Sequence, residues 1–147
     1  MEENFTLLQD TERGAKFGIA YLKVQKESTR QELFKRVVLA KDFISDNYNR
    51  KFSLKEVALE ACLSVNHLLR SFKAVFGLSP YQFLAKVKLS KARHLLEKGN
   101  YRIAQVAYLV GFDSISSFIR LFKSAFNITP LQYKRQHNAQ KPWSDQL

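Results

Sequence analysis

The sequence predicts an all-α protein, two helix-turn-helix subdomains joined by a long linker helix, with about seven helices in all. Three observations carry that expectation. Apolar residues recur at spacings of three and four from residue 28 onward, the period of a helix with one buried face. Cap residues, glycines and prolines divide the pattern into segments of helical length. Finally, "NHLLRSFKAVFGLSPYQF", residues 66–83, returns fifty positions later as "SSFIRLFKSAFNITPLQY", residues 116–133.

Residues 1–27 mix glycine, lysine, aromatic and acidic residues without a sustained period, and residues 1–31 stand as an unassigned N-terminal segment or linker. From "STRQELFKRVVLAKDFISDNY" the pattern is helical. Leu33, Val37, Ile44 and Tyr48 share a face flanked by Phe34 and Val38, after a Thr29-to-Glu32 capping box. Next, "FSLKEVALEACL" sets Ser53 three residues before Glu56, a second capping box, and offers Leu54, Val57 and Ala58 to a core. Ser64 caps the following helix, whose inner side carries Leu68, Phe72, Val75 and Phe76. Gly77 closes that helix and Asn127 closes its counterpart; both residue types take positive φ readily. Ser79-Pro80 and Thr129-Pro130 each supply an N-cap and a proline at the first helical position. The helix begun at Pro80 runs to about Lys98, before Gly99, and at 1.5 Å per residue spans about 28 Å. It links the copies.

Each copy is a short helix, a tight turn, a second helix and a proline-started third. "LKEVALEACLS" pairs with "IAQVAYLVGFDS", which carries one extra residue in its turn. Between positions 64–83 and 114–133, seven of twenty residues are identical, with Phe, Lys, Phe and Pro in register, so the similarity is not chance. Two short helices joined by a tight turn describe a helix-turn-helix, whose second helix enters the DNA major groove.

Charge agrees with that reading. Residues 1–63 carry 11 Lys/Arg against 10 Asp/Glu, whereas residues 64–135 carry 12 against only Glu97 and Asp113. Ten of the eleven net positive charges thus sit in the half that holds the repeat, and such a field attracts polyanions. Charge alone also fits a merely soluble basic protein, or a non-specific architectural or RNA-binding one.

With the inner stripe fixed, spacing turns Val65, Asn66, Leu69, Arg70 and Lys73 outward in the first copy and Ile115, Ser116, Ile119, Arg120 and Lys123 in the second. Arg70 and Arg120 have the fork to pair bidentately with guanine, Asn66 the amide to pair with adenine, and Leu69 or Ile119 the surface to cover a thymine methyl. Leu69 and Ile119 fit the core margin equally well. Lys73 and Lys123, a turn later, suit phosphate, which positions without specifying. Phe72, Phe76, Phe118, Phe122 and Phe126 belong to the core, and Lys86, Lys88, Lys91 and Arg93 coat a solvated face of the linker helix.

Catalytic patterns are missing. His67, His94 and His137 share no metal-ligand spacing with one another or with Cys62, and there is no glycine-rich phosphate loop, so no enzyme, cofactor or metal is expected. Cys62 reads as a small core residue, and as the single cysteine it excludes an internal disulfide and fits a cytoplasmic location. Asp113 is expected to help cap the second reading helix. No run approaches the roughly 20 apolar residues that span a bilayer.

"VALEACLSVNHLLRSFKAVFGLSPYQFL", "KLSKARHLL" and "IAQVAYLVGFDSISSFIRLFKSAFNITPLQYKR" resemble the C-terminal DNA-binding domain of the AraC/XylS transcription regulators over about residues 33–135. The resemblance implies a DNA-binding domain over residues 32–135, with subdomain one at 32–79, the linker helix at 80–98 and subdomain two at 100–135. It further implies a sequence-specific double-stranded DNA-binding transcription regulator, an activator that contacts RNA polymerase, with both second helices in successive major-groove segments. Positions matching Asn66, Leu69, Arg70, Ser116, Ile119 and Arg120 face base edges in that family. Three positions depart from its pattern: Lys88 stands where arginine is usual, Asn127 where glycine is usual, and Arg102 where Ser53 caps the first copy. Members commonly carry an N-terminal sensing and dimerisation domain, for which residues 1–31 are too short. The chain is therefore either a stand-alone member or part of a longer regulator, and its effector is unknown. Residues 136–147, "QHNAQKPWSDQL", read as a flexible tail.

Overall fold

A computed structural model describes residues 27–138. Within them run seven helices: α1 (Glu27–Asp46), α2 (Leu54–Glu60), α3 (Val65–Phe76), α4 (Pro80–Lys98), α5 (Ile103–Leu109), α6 (Ile115–Phe126) and α7 (Pro130–Asn138). No strand occurs among the described residues, so the fold is all-α. Most of the unassigned segment 1–31 and of the expected tail lies outside them. Two corrections concern the edges. Thr29 is the third residue of α1, not its cap, and residues 136–138 finish α7 in place of starting a tail.

Most helix ends follow from local chemistry. The Ser53 hydroxyl accepts the Glu56 N–H at 3.3 Å while Glu56 Oε1 accepts the Ser53 N–H at 3.0 Å, a complete capping box for α2. Ser64 and Ser114 cap α3 and α6 by accepting from the N–H groups of His67 and Ser117. Asp113 stands one place before that cap, so the capping expected of it belongs to Ser114. Ser79 with Gln82, and Thr129 with Gln132, form matching boxes ahead of Pro80 and Pro130. Arg102 offers α5 no side-chain acceptor; Gln105 alone holds that end by accepting the Arg102 N–H at 2.8 Å. Gly77 and Asn127 end α3 and α6 at φ 71° and 60°, each donating its N–H to the carbonyl four residues back at 2.8 Å.

The chain divides into two compact units, one ending at Val87 and the other beginning at Lys88. In the first, α1 packs on α2 and α3 around Leu33, Val37, Ala40, Ile44, Val57, Ala58, Leu68, Phe72, Val75 and Phe83. Tyr48 lies in the turn after α1 and is half-buried. In the second, Leu89, Ala92, Leu96, Val106, Ala107, Val110, Phe118 and Phe122 are buried, and α6 packs on α5 and α7.

Each unit is closed by the same triangle of rings. Phe72 lies 4.8 Å from Phe76 and 5.7 Å from Phe83, with Phe76 and Phe83 6.3 Å apart. Fifty positions on, Phe122 lies 4.5 Å from Phe126 and 5.6 Å from Tyr133, with Phe126 and Tyr133 6.2 Å apart. The repeated aromatics thus fasten each proline-started helix to the helix before it, and edge-to-face ring pairs add about 0.5–1.5 kcal/mol beyond the area they bury.

Candidate nucleic-acid interface

α3 and α6 each turn one face to the core and leave the opposite face exposed. On α3, Leu68, Ser71, Phe72 and Val75 face the core. At 100° per residue the opposite direction is occupied by Asn66, Arg70 and Lys73, and all three are exposed. Leu69 and Val65 flank them, half-buried. On α6, Phe118 and Phe122 are buried, Ser116, Arg120 and Lys123 are exposed, and Ile119 and Ile115 are half-buried. The structure therefore gathers the first set of candidates on one exposed stripe and the second set on another. Leu69 and Ile119 sit half-buried at the margins of those stripes.

The stripes are electrostatically available. Arg70, Lys73, Arg120 and Lys123 pair with no carboxylate among the described residues, whereas Arg36 holds Glu32, Arg50 holds Glu56 and Arg93 holds Glu97. Glu97 is further occupied by the Tyr133 hydroxyl, which donates to it. Glu97 is thus engaged away from the stripes, and a cationic side chain left unpaired at a surface is available to a phosphate or a base.

Each stripe is set by the turn that precedes it, and both turns have one design. Cys62 N–H donates to Leu59 O and Leu63 N–H to Ala58 O; Gly111 N–H donates to Tyr108 O and Phe112 N–H to Ala107 O. These are paired Schellman closures, whose C′ residue is left-handed. Cys62 has φ 52° and Gly111 φ 81°. Cys62 is exposed, so the expected core thiol is a turn residue instead.

A cation holds the carbonyl of each left-handed residue. The Arg36 guanidinium donates to Cys62 O at 3.1 Å, and the Lys88 ammonium donates to Gly111 O at 2.7 Å while lying 5.2 Å from the centre of the Phe112 ring. Burial pushes the Lys88 ammonium below its ordinary value, and the nearby Asp113 carboxylate opposes that shift. Lys88 is therefore not part of the solvated linker face on which Lys86 and Lys91 are exposed. A single ammonium here makes one directed bond to a carbonyl, with no bidentate pairing. Arg36 was not legible as a site residue from spacing; the signal that bears on both turns is the alignment of Cys62 with Gly111.

Among the described residues no group of His, Cys, Asp and Glu could hold a metal ion, and no helix is long and apolar enough to cross a membrane.

Comparison with known proteins bears on this geometry. A family model for the helix-turn-helix domain matches residues 57–136. The HTH-type transcriptional activator RhaS of Klebsiella pneumoniae (strain 342) is 30% identical over 114 residues, covering 78% of this chain and 40% of RhaS. Among solved structures, the C-terminal domain of AraT, a response regulator from Geobacillus stearothermophilus, is similar at 30% identity and a TM-score of 0.65, covering 69% of this chain and 84% of that domain. The DNA-binding domain of the global transcriptional factor AdpA, solved in complex with a target DNA, shares the fold with a TM-score of 0.68 at 23% identity, covering 73% of this chain and 96% of that one. The chain spans 40% of the length of the first curated relatives it matches.

Proposed function

Because the chain belongs to the AraC/XylS-type helix-turn-helix family of transcription regulators, we propose that it binds double-stranded DNA sequence-specifically, with residues 32–135 as the DNA-binding domain and α3 and α6 as its two reading helices. The observation that carries this reading is the pair of exposed stripes: a polar or cationic triplet at helical spacing, repeated after fifty residues, on helices whose opposite sides carry the buried phenylalanines. Arg70 and Arg120 pair with guanine, Asn66 with adenine, Ser116 with either type of base edge, and Leu69 and Ile119 contact thymine methyls. Lys73 and Lys123 bind phosphate.

Each reading helix serves one major-groove segment. Two such segments on one face recur about one helical turn apart, so the preferred site covers about 15–20 base pairs. By analogy with RhaS, named an activator, the chain activates transcription, with RNA polymerase as its protein partner in the cytoplasm. The alternative, a non-specific architectural or RNA-binding protein, depends on phosphate neutralisation alone.

Selection of bound duplexes from a random pool, at fixed salt, separates the two. A two-part motif supports the proposal. Recovery of random sequence, with affinity set only by salt, rejects it.

A further inference from the structure

Neither Arg36 nor Lys88 lies on an exposed stripe, yet the two repeats use them alike. The acceptor in each case is the carbonyl of the left-handed residue of the turn, Cys62 or Gly111. The donor comes from the helix that precedes each helix-turn-helix, α1 or α4. Nothing in the repeat's own spacing dictates this. The donors differ in type, and they lie 26 residues before the acceptor in one copy and 23 in the other. The same atomic arrangement has been reached with different side chains and different offsets.

We infer that Arg36 and Lys88 are positioning residues for DNA reading, each fixing the pitch of one reading helix by holding the carbonyl of the turn that launches it. This rests on the reading of α3 and α6 given above. The physical reason is the direction of that carbonyl. A left-handed C′ residue reverses the chain between two helices, and rotation of the peptide plane after it swings everything that follows. In the first copy the Ser64 cap comes two residues after Cys62; in the second, Ser114 comes three after Gly111 because Asp113 is inserted. The longer second turn has more freedom. Its latch is the shorter of the two and is backed by the Phe112 ring. Misplacing a base-reading side chain by a fraction of an ångström weakens a directed hydrogen bond while leaving phosphate contacts, which tolerate slack, largely intact.

The test uses the whole chain and its Arg36→Met, Lys88→Met and Lys88→Arg variants, with duplex selection and amide hydrogen exchange run in parallel. Lys88→Met is expected to flatten base preference about tenfold in the half-site read by α6 and to spare the other half, the loss of one charge-assisted bond setting that scale. Arg36→Met does the reverse, more weakly. Lys88→Arg, which keeps a donor, restores most of the preference. In the free protein, Lys88→Met speeds exchange at Phe112 and the first turn of α6, with α3 unchanged.

Equal weakening on all sequences with the motif intact would make these residues phosphate ligands or scaffold only, and would overturn the inference. So would unchanged exchange at Phe112 in Lys88→Met. Should the unmodified chain select no motif, the DNA-reading proposal fails and the latch stands or falls on the exchange data.

Discussion

Tyr133 donates its hydroxyl hydrogen to Glu97 Oε1 at 2.5 Å, and the matching position of the first unit is Phe83, which has nothing to donate. The ring therefore does the packing in both units and the hydroxyl adds a bond in one. Tyr133→Phe keeps the ring triangle and removes the donor from a half-buried carboxylate still held by Arg93. It is expected to lower stability by about 1 kcal/mol, measured by denaturant unfolding. Burial, and then the hydrogen bond to Glu97, raise the Tyr133 phenol above its ordinary value of 10.0. The folded state keeps a proton that the unfolded chain releases, so this contribution is present below about pH 10 and declines above it. The Tyr133→Phe variant should show a shallower alkaline loss; an identical alkaline limb would contradict the assignment.

Glu56 titrates in the opposite sense. Its carboxyl is lowered from 4.5 by the Ser53 backbone N–H first and by Arg50 next. The stabilisation is present above 4.5 and is lost below it, as pH falls through the lowered folded value, because the unfolded chain takes up a proton sooner. Glu56→Gln should flatten the acid limb of a pH-stability curve followed by circular dichroism.

The two first helices differ at one cap. Ser53→Ala removes a hydroxyl that accepts the Glu56 N–H and should cost about 1 kcal/mol. Arg102→Ser installs the missing acceptor beside Gln105 and should add about 0.5–1 kcal/mol in thermal unfolding. Loss of stability in Arg102→Ser would mean that the arginine stem packs where a cap was expected to help.

Left-handed positions give a second contrast. Cys62 carries a side chain at φ 52° where the other copy has Gly111. Cys62→Gly should stabilise the chain by about 1 kcal/mol, the strain of an L-residue in that region. Gly111→Ala should destabilise it by a similar amount. At Gly77 a new Cβ would meet nothing within 4 Å, so the cost of Gly77→Ala is conformational alone, and Gly77→Asn, which copies Asn127, should be nearly neutral.

Base readers and phosphate ligands separate by pattern of loss. Arg70→Ala and Arg120→Ala should each relax preference in a different half of the site, by about 1–3 kcal/mol at one base pair. Lys73→Ala should weaken all duplexes alike and reduce the slope of log affinity against log salt by about 1. A selection logo that changes for Lys73→Ala but not for Arg70→Ala would reverse the two roles.

The helix boundaries were legible because they depend on neighbours in sequence: a serine three places before a glutamate, a glycine after a phenylalanine, a proline after a serine. The ring triangles follow from aromatic residues recurring at a shift of fifty, identical at two positions and Phe83 against Tyr133 at the third. Lys88 and Arg36 were not legible, since which carbonyl a long side chain reaches is decided by a partner more than twenty residues away. Thr29 satisfied a capping pattern but lies within a helix that starts earlier. Cys62 misled for a related reason: its apolar neighbours suggested burial, while the glycine aligned with it pointed to a turn. Asn66, Arg70, Ser116, Arg120 and the two lysines could be read as outward because the buried phenylalanines on the same helices fix the phase.

The turn at Cys62 has a practical corollary. This is the chain's single thiol, exposed, and it belongs to one repeat only. A maleimide dye coupled there would sit on the turn that launches α3, so engagement of that helix with a duplex could be followed by fluorescence without engineering in a cysteine.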